Sequence, residues 1–152
     1  MAMNPMPTEV NGQRLWDTFG RYPWKFIYLD DGCTTWKTQD KYPLRPRTLW
    51  KRYRDAGEQI GVRFGRETSY FMLDIDTDSP YHKPSAVQGL KDALETIGIV
   101  RWLNVRSSYS GGLHLFAPLP APVATFDLAV AVKGTLEAHG FKLAGGQLEC
   151  FP

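Results

Sequence analysis

The chain has 152 residues, 43% of them hydrophobic, with 18 Lys/Arg against 16 Asp/Glu for a formal charge of +2, which suits one globular domain with at most a short N-terminal elaboration. Only Cys33 and Cys150 are present, with histidines at 82, 114 and 139, so a disulfide scaffold, a four-cysteine zinc site and an HExxH zinc site are excluded. No run of about 18 apolar residues exists, and MAMNPMPTEV lacks the basic and apolar regions of a secretory signal, so the expected compartment is the cytoplasm with no membrane partner.

Thr8 stands where it would cap a helix running through Phe19, with Val10, Leu15, Trp16 and Phe19 at helical spacing. Trp24–Leu29 reads as a strand ended by Asp30-Asp31-Gly32. A polar loop follows, and Pro43 and Pro46 precede a helix predicted from about Thr48 to Ala56. Ile60–Phe64 is a short strand closed by Gly65.

The helix after Pro46 belongs to LRPRTLWKRYR, where Arg45, Arg47, Lys51, Arg52 and Arg54 mix with Trp50 and Tyr53. Residues 1–68 hold 12 Lys/Arg and 8 Asp/Glu, a balance of +4, whereas residues 69–152 hold 6 and 8, a balance of −2. Basic and aromatic side chains interleaved in this way suit a phosphate backbone with exposed bases. The plainer reading is a solvated helix whose aromatics face the core.

The second half alternates. Ser69–Asp76 is a strand, Ser85–Ile97 an amphipathic helix with Val87, Leu90, Leu94 and Ile97 on one side, and Arg101–Ser107 a strand. Leu113–Pro118 is a strand after the turn SYSGG, Thr125–His139 a helix, and Gln147–Phe151 a last strand after Gly145-Gly146. The order β-α-β-β-α-β is that of ferredoxin-like and RNA-recognition folds. The predicted fold is α+β: a basic N-terminal α/β unit over residues 1–68 packed on an RRM-like unit over residues 69–152. Because the chain stops one residue after Phe151, in or just beyond a strand, it reads as a core truncated at its C-terminus.

Three stretches carry candidate chemistry. In FMLDIDTD, Asp74 and Asp76 share one strand face and Leu73 and Ile75 the other. Two like carboxylates side by side resist joint ionisation unless a cation sits between them, and hard oxygen donors suit Mg²⁺ or Mn²⁺. In VRSSYSGGLHLF, His114 shares a face with Phe116, and Ser108, Ser110, Gly111 and Gly112 offer the hydroxyls and unhindered N–H groups of a phosphate-binding turn. Arg106 adds a guanidinium able to bind phosphate bidentately. In QLECFP, Glu149 is bracketed by Leu148 and Cys150 and points away from the core side. With the usual strand order 4-1-3-2, the Asp74 strand lies between the His114 and Glu149 strands, and three carboxylates and a histidine gather on one sheet face. Such a cluster is costly unless it binds something.

These motifs, in this order, resemble those of the archaeo-eukaryotic primase superfamily, the primase-polymerases. FMLDIDTD is similar to its hhhDhD motif. SGGLHLF is similar to its sxH motif, with Gly112 where the short motif has serine, and LECFP to the hExFP form of its third motif. IGVRFGRETSYFMLDID also looks like the lead-in found in plasmid and phage members, so the resemblance covers about residues 58–152. It implies two-metal nucleotidyl transfer from NTP or dNTP onto a template-directed strand in replication or repair. Asp74, Asp76 and Glu149 would hold Mg²⁺ or Mn²⁺. His114, with Arg106, Ser108, Ser110 and Gly111, would grip the nucleotide's phosphates, with Arg63 and Arg66 further candidates. The implied partners are nucleoside triphosphates and a single-stranded DNA template with its primer. No helicase motif lies in these residues, so a helicase domain or partner would stand outside this chain.

Three rivals compete with this reading. A non-catalytic RRM-like binding module would use exposed aromatics such as Phe116, although carboxylates there repel RNA. A rolling-circle initiator nuclease wants His-x-His on one strand, and position 116 is Phe. A DxD glycosyltransferase usually has a parallel nucleotide-binding sheet, which this strand order does not offer.

Overall fold

Short polar strands leave no periodic trace in a sequence, and residues 6–65 contain two of them. The computed structural model describes residues 6–55, 57–107 and 110–152, and the fold is α+β in two compact units, Met1–Gly65 and Arg66–Pro152.

The first unit contains α1 (Val10–Phe19), β1 (Phe26–Leu29), β2 (Lys37–Gln39), α2 (Pro46–Arg54) and β3 (Gln59–Gly61). Its antiparallel sheet has the order β2-β1-β3, and Phe26, Leu44 and Leu49 form its core with Leu15, Trp16, Phe19, Tyr28, Ile60 and Val62. β2 falls in the segment expected to be loop. It exists because β1 offers it a ladder, Tyr28 opposite Lys37 and Phe26 opposite Gln39. β1 begins at Phe26 rather than Trp24, since Lys25 has φ +62°, which no strand continues through. Thr8 does not cap α1: Glu9 is the N-cap, without a side-chain cap bond, and the Thr8 hydroxyl donates to the Glu9 carboxylate at 3.3 Å. α2 starts at Pro46, whose fixed φ suits a first helical turn.

The second unit contains β4 (Glu67–Ile75), α3 (Pro84–Glu95), β5 (Leu103–Arg106), β6 (Leu113–Ala124), α4 (Thr125–Ala138) and β7 (Leu148–Phe151). Its antiparallel sheet has the order β5-β6-β4-β7, the expected 4-1-3-2 read from the other edge. Phe71, Leu73 and Ile75 of β4, Leu115 of β6 and Leu148 of β7 are buried on one face. Leu90 and Leu94 of α3 and Val132 and Leu136 of α4 complete the same core. Both helices therefore cover the Leu73/Ile75 face and leave the Asp74 face to the site.

β6 outruns its predicted end at Pro118 by six residues and pairs with β4 as far as Glu67 opposite Ala124, across an irregularity between Thr68 and Tyr70. β5 covers only Leu113–Phe116 of it. Because the Ser107 N–H donates to the Gly112 carbonyl at 2.8 Å, even-numbered β6 positions turn their backbone toward β5. Pro118 shares that parity, so its missing N–H falls on the side with no neighbour, and Pro120 and Pro122 follow within the stretch where the register with β4 shifts.

Candidate active site

Three strands bring the motifs into one row. Asp74 stands opposite His114 of β6 on one side and opposite Glu149 of β7 on the other, and Val105 of β5 extends the row past His114. The parity that turns His114 toward β5 makes Asp74–His114 a non-hydrogen-bonded pair, the kind whose side chains stand closest. Accordingly His114 Nε2 lies 3.4 Å from Asp74 Oδ1, with both side chains about a quarter exposed, at 27% and 26%. Glu149 and Asp74 form the alternative, hydrogen-bonded kind of pair, and the Asp76 N–H continues that ladder to the Gln147 carbonyl at 3.3 Å.

The next row on the same face is apolar. Met72 stands between Phe116 and Phe151, with the Phe116 ring 5.9 Å from His114 and 6.1 Å from Tyr70. Burial pushes the Tyr70 hydroxyl well above the ordinary phenol range, so it stays neutral. Burial likewise pushes the Cys150 thiol up to about 11, which with its place on the core face removes it as a nucleophile.

Two turns border the acids. A Cβ on Gly146 would stand 3.8 Å from Asp76 Oδ2 and one on Gly145 3.9 Å from Glu149 Oε1, so both carboxylates lie against the turn before β7. On the other side the Thr77 hydroxyl donates to the Ser110 carbonyl at 2.6 Å, and His82 Nε2 lies 2.8 Å from the Gly111 carbonyl. Thr77 stands inside FMLDIDTD but is neither of its paired aspartates, and His82 lies outside all three stretches, so only their nearness to the aspartate strand could have marked them.

Burial raises the Asp74 carboxyl above its ordinary range. His114 opposes this, and the like charges of Asp76 and Glu149 add to it. This mutual repulsion is what a divalent cation would relieve, and oxygen donors on one face suit Mg²⁺ or Mn²⁺ in kind. Among the described residues, no three His, Cys, Asp or Glu side chains are drawn together as a metal centre. The fit therefore lies in the donor chemistry and the shared face.

With this geometry in view, the solved structures offer a likeness. The fold is similar to that of the "Polymerase Domain from Mycobacterium tuberculosis Ligase D in complex with DNA", at TM-score 0.53 and 14% identity, over 91% of this chain and 70% of that one. The likeness is one of fold. No family model and no curated protein matches the sequence.

Other residues that the motifs point to sit elsewhere. Arg106 pairs with Leu113 and so lies on the helix-bearing face, as does Asn104, whose side chain accepts from Lys91 of α3 at 3.1 Å. Alternation separates it from the His114 face. Arg66 precedes β4 at the end far from Asp74. Eight residues at about 3.4 Å each are roughly 27 Å of strand, and the Arg66 carbonyl accepts the N–H of Thr125 at the start of α4. Arg63 belongs to the first unit, and Ser108 lies outside the described residues.

The basic stretch divides by role. Arg52 is turned inward with a side chain 17% exposed, within 3.0 Å of Asp30 and 3.2 Å of Glu58, and stacks on Tyr28 at 4.4 Å. Arg45, Arg47, Lys51 and Arg54 are exposed. Trp50 stacks on Tyr53 at 5.8 Å and Arg54 lies 5.5 Å from the Trp50 ring, so these aromatics stand outside the core cluster. Arg47, Trp50, Lys51 and Arg54 line one cavity of about 490 Å³ with Pro7, Thr8, Glu9 and Asp55. Arg52→Ala is therefore expected to lower the unfolding midpoint of the chain, and Arg47→Ala with Lys51→Ala to leave it nearly unchanged, since exposed cations contribute little to stability. Thermal melts of the two variants check both halves.

Proposed function

We propose that this chain is the catalytic core of a primase-polymerase, a DNA-directed nucleotidyltransferase that joins NTP or dNTP to a template-directed strand in replication or repair. The observation that carries the reading is the row Glu149–Asp74–His114 across three adjacent strands, with Asp76 one step beyond, on the face opposite the helices. The fold likeness to a polymerase domain solved in complex with DNA supports it. No helix among the described residues is long and apolar enough to cross a membrane, which is compatible with work on DNA in the cytoplasm.

In this reading Asp74, Asp76 and Glu149 hold Mg²⁺ or Mn²⁺, which when bound supplies charge neutralisation at the triphosphate and a lowered pKa at the attacking hydroxyl. His114 donates to the triphosphate, and the Ser110–Gly111 turn offers it a backbone N–H. Arg106, at the end of edge strand β5, reaches the phosphates only by passing around that edge. Arg45, Arg47, Lys51 and Arg54 take the backbone of the DNA template or primer, and Tyr53, 65% exposed, offers a ring for a base.

The test is incorporation on a primed single-stranded template with Mn²⁺, alongside equilibrium binding of the triphosphate. His114→Ala should weaken triphosphate binding by about ten- to hundredfold, since a hydrogen bond to a charged phosphate contributes roughly 1.5–3 kcal/mol. DNA affinity should be unchanged. The row Phe116–Met72–Phe151 favours a second reading, a non-catalytic RRM-like module that stacks bases. It predicts metal-independent binding of a single strand with no incorporation.

A further inference from the structure

Beyond Asp76, the loop between β4 and α3 is not used by the chemistry above, yet it is bonded to the Ser110–Gly111 turn and to the segment that leads into the turn before β7. Its own shape is set from within. The Ser79 N–H donates to the Asp76 carbonyl at 3.0 Å, the Ser79 hydroxyl accepts the Tyr81 N–H at 3.1 Å, and the His82 N–H donates to the Ser79 carbonyl at 3.0 Å. On one flank the Tyr81 hydroxyl accepts the Lys142 N–H at 2.8 Å and its ring lies 5.6 Å from Phe141. On the other flank Thr77 and His82 hold the carbonyls of Ser110 and Gly111, at 2.6 and 2.8 Å. A carbonyl only accepts, so His82 Nε2 carries its proton.

A planar trans peptide points its C=O and its N–H in opposite directions. Drawing the Ser110 and Gly111 carbonyls toward Thr77 and His82 therefore turns the N–H groups of Gly111 and Gly112 the other way. Gly111 has φ +88°, which a side chain would not tolerate, and a left-handed residue at this point is half of a turn in which successive N–H groups converge on an anion.

We propose that Thr77 and His82 are positioning residues that lock the two peptide planes flanking Gly111, so that the turn meets a substrate phosphate already oriented. This rests on reading the site as one for nucleoside triphosphates. The lock lowers the ordering that binding would otherwise require, so its loss falls on nucleotide affinity and not on the speed of transfer once the nucleotide is bound.

The experiment uses the 152-residue chain, titrated calorimetrically with dATP in the presence of Mn²⁺, and separately assayed for primer extension. His82→Ala is expected to raise both the dATP Kd and its KM about tenfold, the upper range for one neutral hydrogen bond, with kcat changed by less than about twofold. His82→Gln, whose amide can donate to the same carbonyl, should recover most of the affinity. Thr77→Val should repeat the loss and Thr77→Ser should not, which keeps the test available if His82→Ala fails to fold. A role confined to stability would lower the unfolding midpoint and leave the KM of the folded protein alone, with no rescue by glutamine. If the unaltered chain binds dATP and His82→Ala and Thr77→Val bind it equally well, the lock is wrong and the site reading stands. If the unaltered chain binds no dATP, both fall.

Discussion

Asp74→Asn is expected to abolish metal-dependent nucleotide incorporation while making the metal-free protein more stable at neutral pH. The loss follows from position. Asp74 is the central carboxylate of the row, opposite both His114 and Glu149, and asparagine keeps its shape without its charge. The gain follows from linkage. Burial raises the Asp74 pKa in the folded state, with His114 opposing it and the like charges of Asp76 and Glu149 adding to it. A carboxyl with a raised folded pKa contributes stability that is fully present below its ordinary value of about 3.9 and is lost as pH rises through the raised value. At neutral pH the ionised group is a cost, and asparagine removes it. Urea titrations of both proteins across pH should show the variant ahead at neutral pH and the gap closing below about pH 4. Mn²⁺ should stabilise the wild type and not the variant. An asparagine variant that still extends a primer, or one less stable at neutral pH without metal, would sink the assignment of Asp74.

Phe71→Ala is expected to cost about 3–5 kcal/mol, the range for removing a phenyl ring from a packed core. Phe71 is fully buried on the helix side of β4 and meets Trp102 edge-on with ring centroids 5.8 Å apart. The Arg66–Pro152 unit is small enough for that loss to remove a large part of its stability. Chemical denaturation followed by tryptophan fluorescence measures it, since Trp102 reports on the site of the cavity. Phe151→Ala, on the other face and 38% exposed, should cost much less and serves as the control.

The two differ because one strand has two faces, and that much is legible in FMLDID by alternation alone. The helix stripes through Leu90 and Leu94 are legible for the same kind of reason, and they settle which face of the sheet is covered. Register is another matter. A shift of one residue flips a strand's side chains to the other face, so no pattern within β5 could reveal that Arg106 stands opposite Leu113 and away from His114. Arg66 looks close to the site because it is near Asp74 in sequence, whereas an extended strand turns few residues into a long distance. In LRPRTLWKRYR every cation looks alike, and only tertiary partners, Asp30, Glu58 and Tyr28, show that Arg52 serves the fold. Thr77 and His82 escape notice in the sequence because a side chain bonded to a carbonyl of another loop leaves no spacing to detect.

The prolines of β6 carry a consequence for how the protein behaves at high concentration. Beyond Phe116 the strand runs without β5 beside it, a length of backbone on which a strand from another molecule could otherwise be templated. Such an intruder needs N–H donors from this backbone, and Pro118, Pro120 and Pro122 supply none. The sheet can therefore keep a long central strand for the site, partly uncovered, without offering it as a seed for fibrillar aggregation.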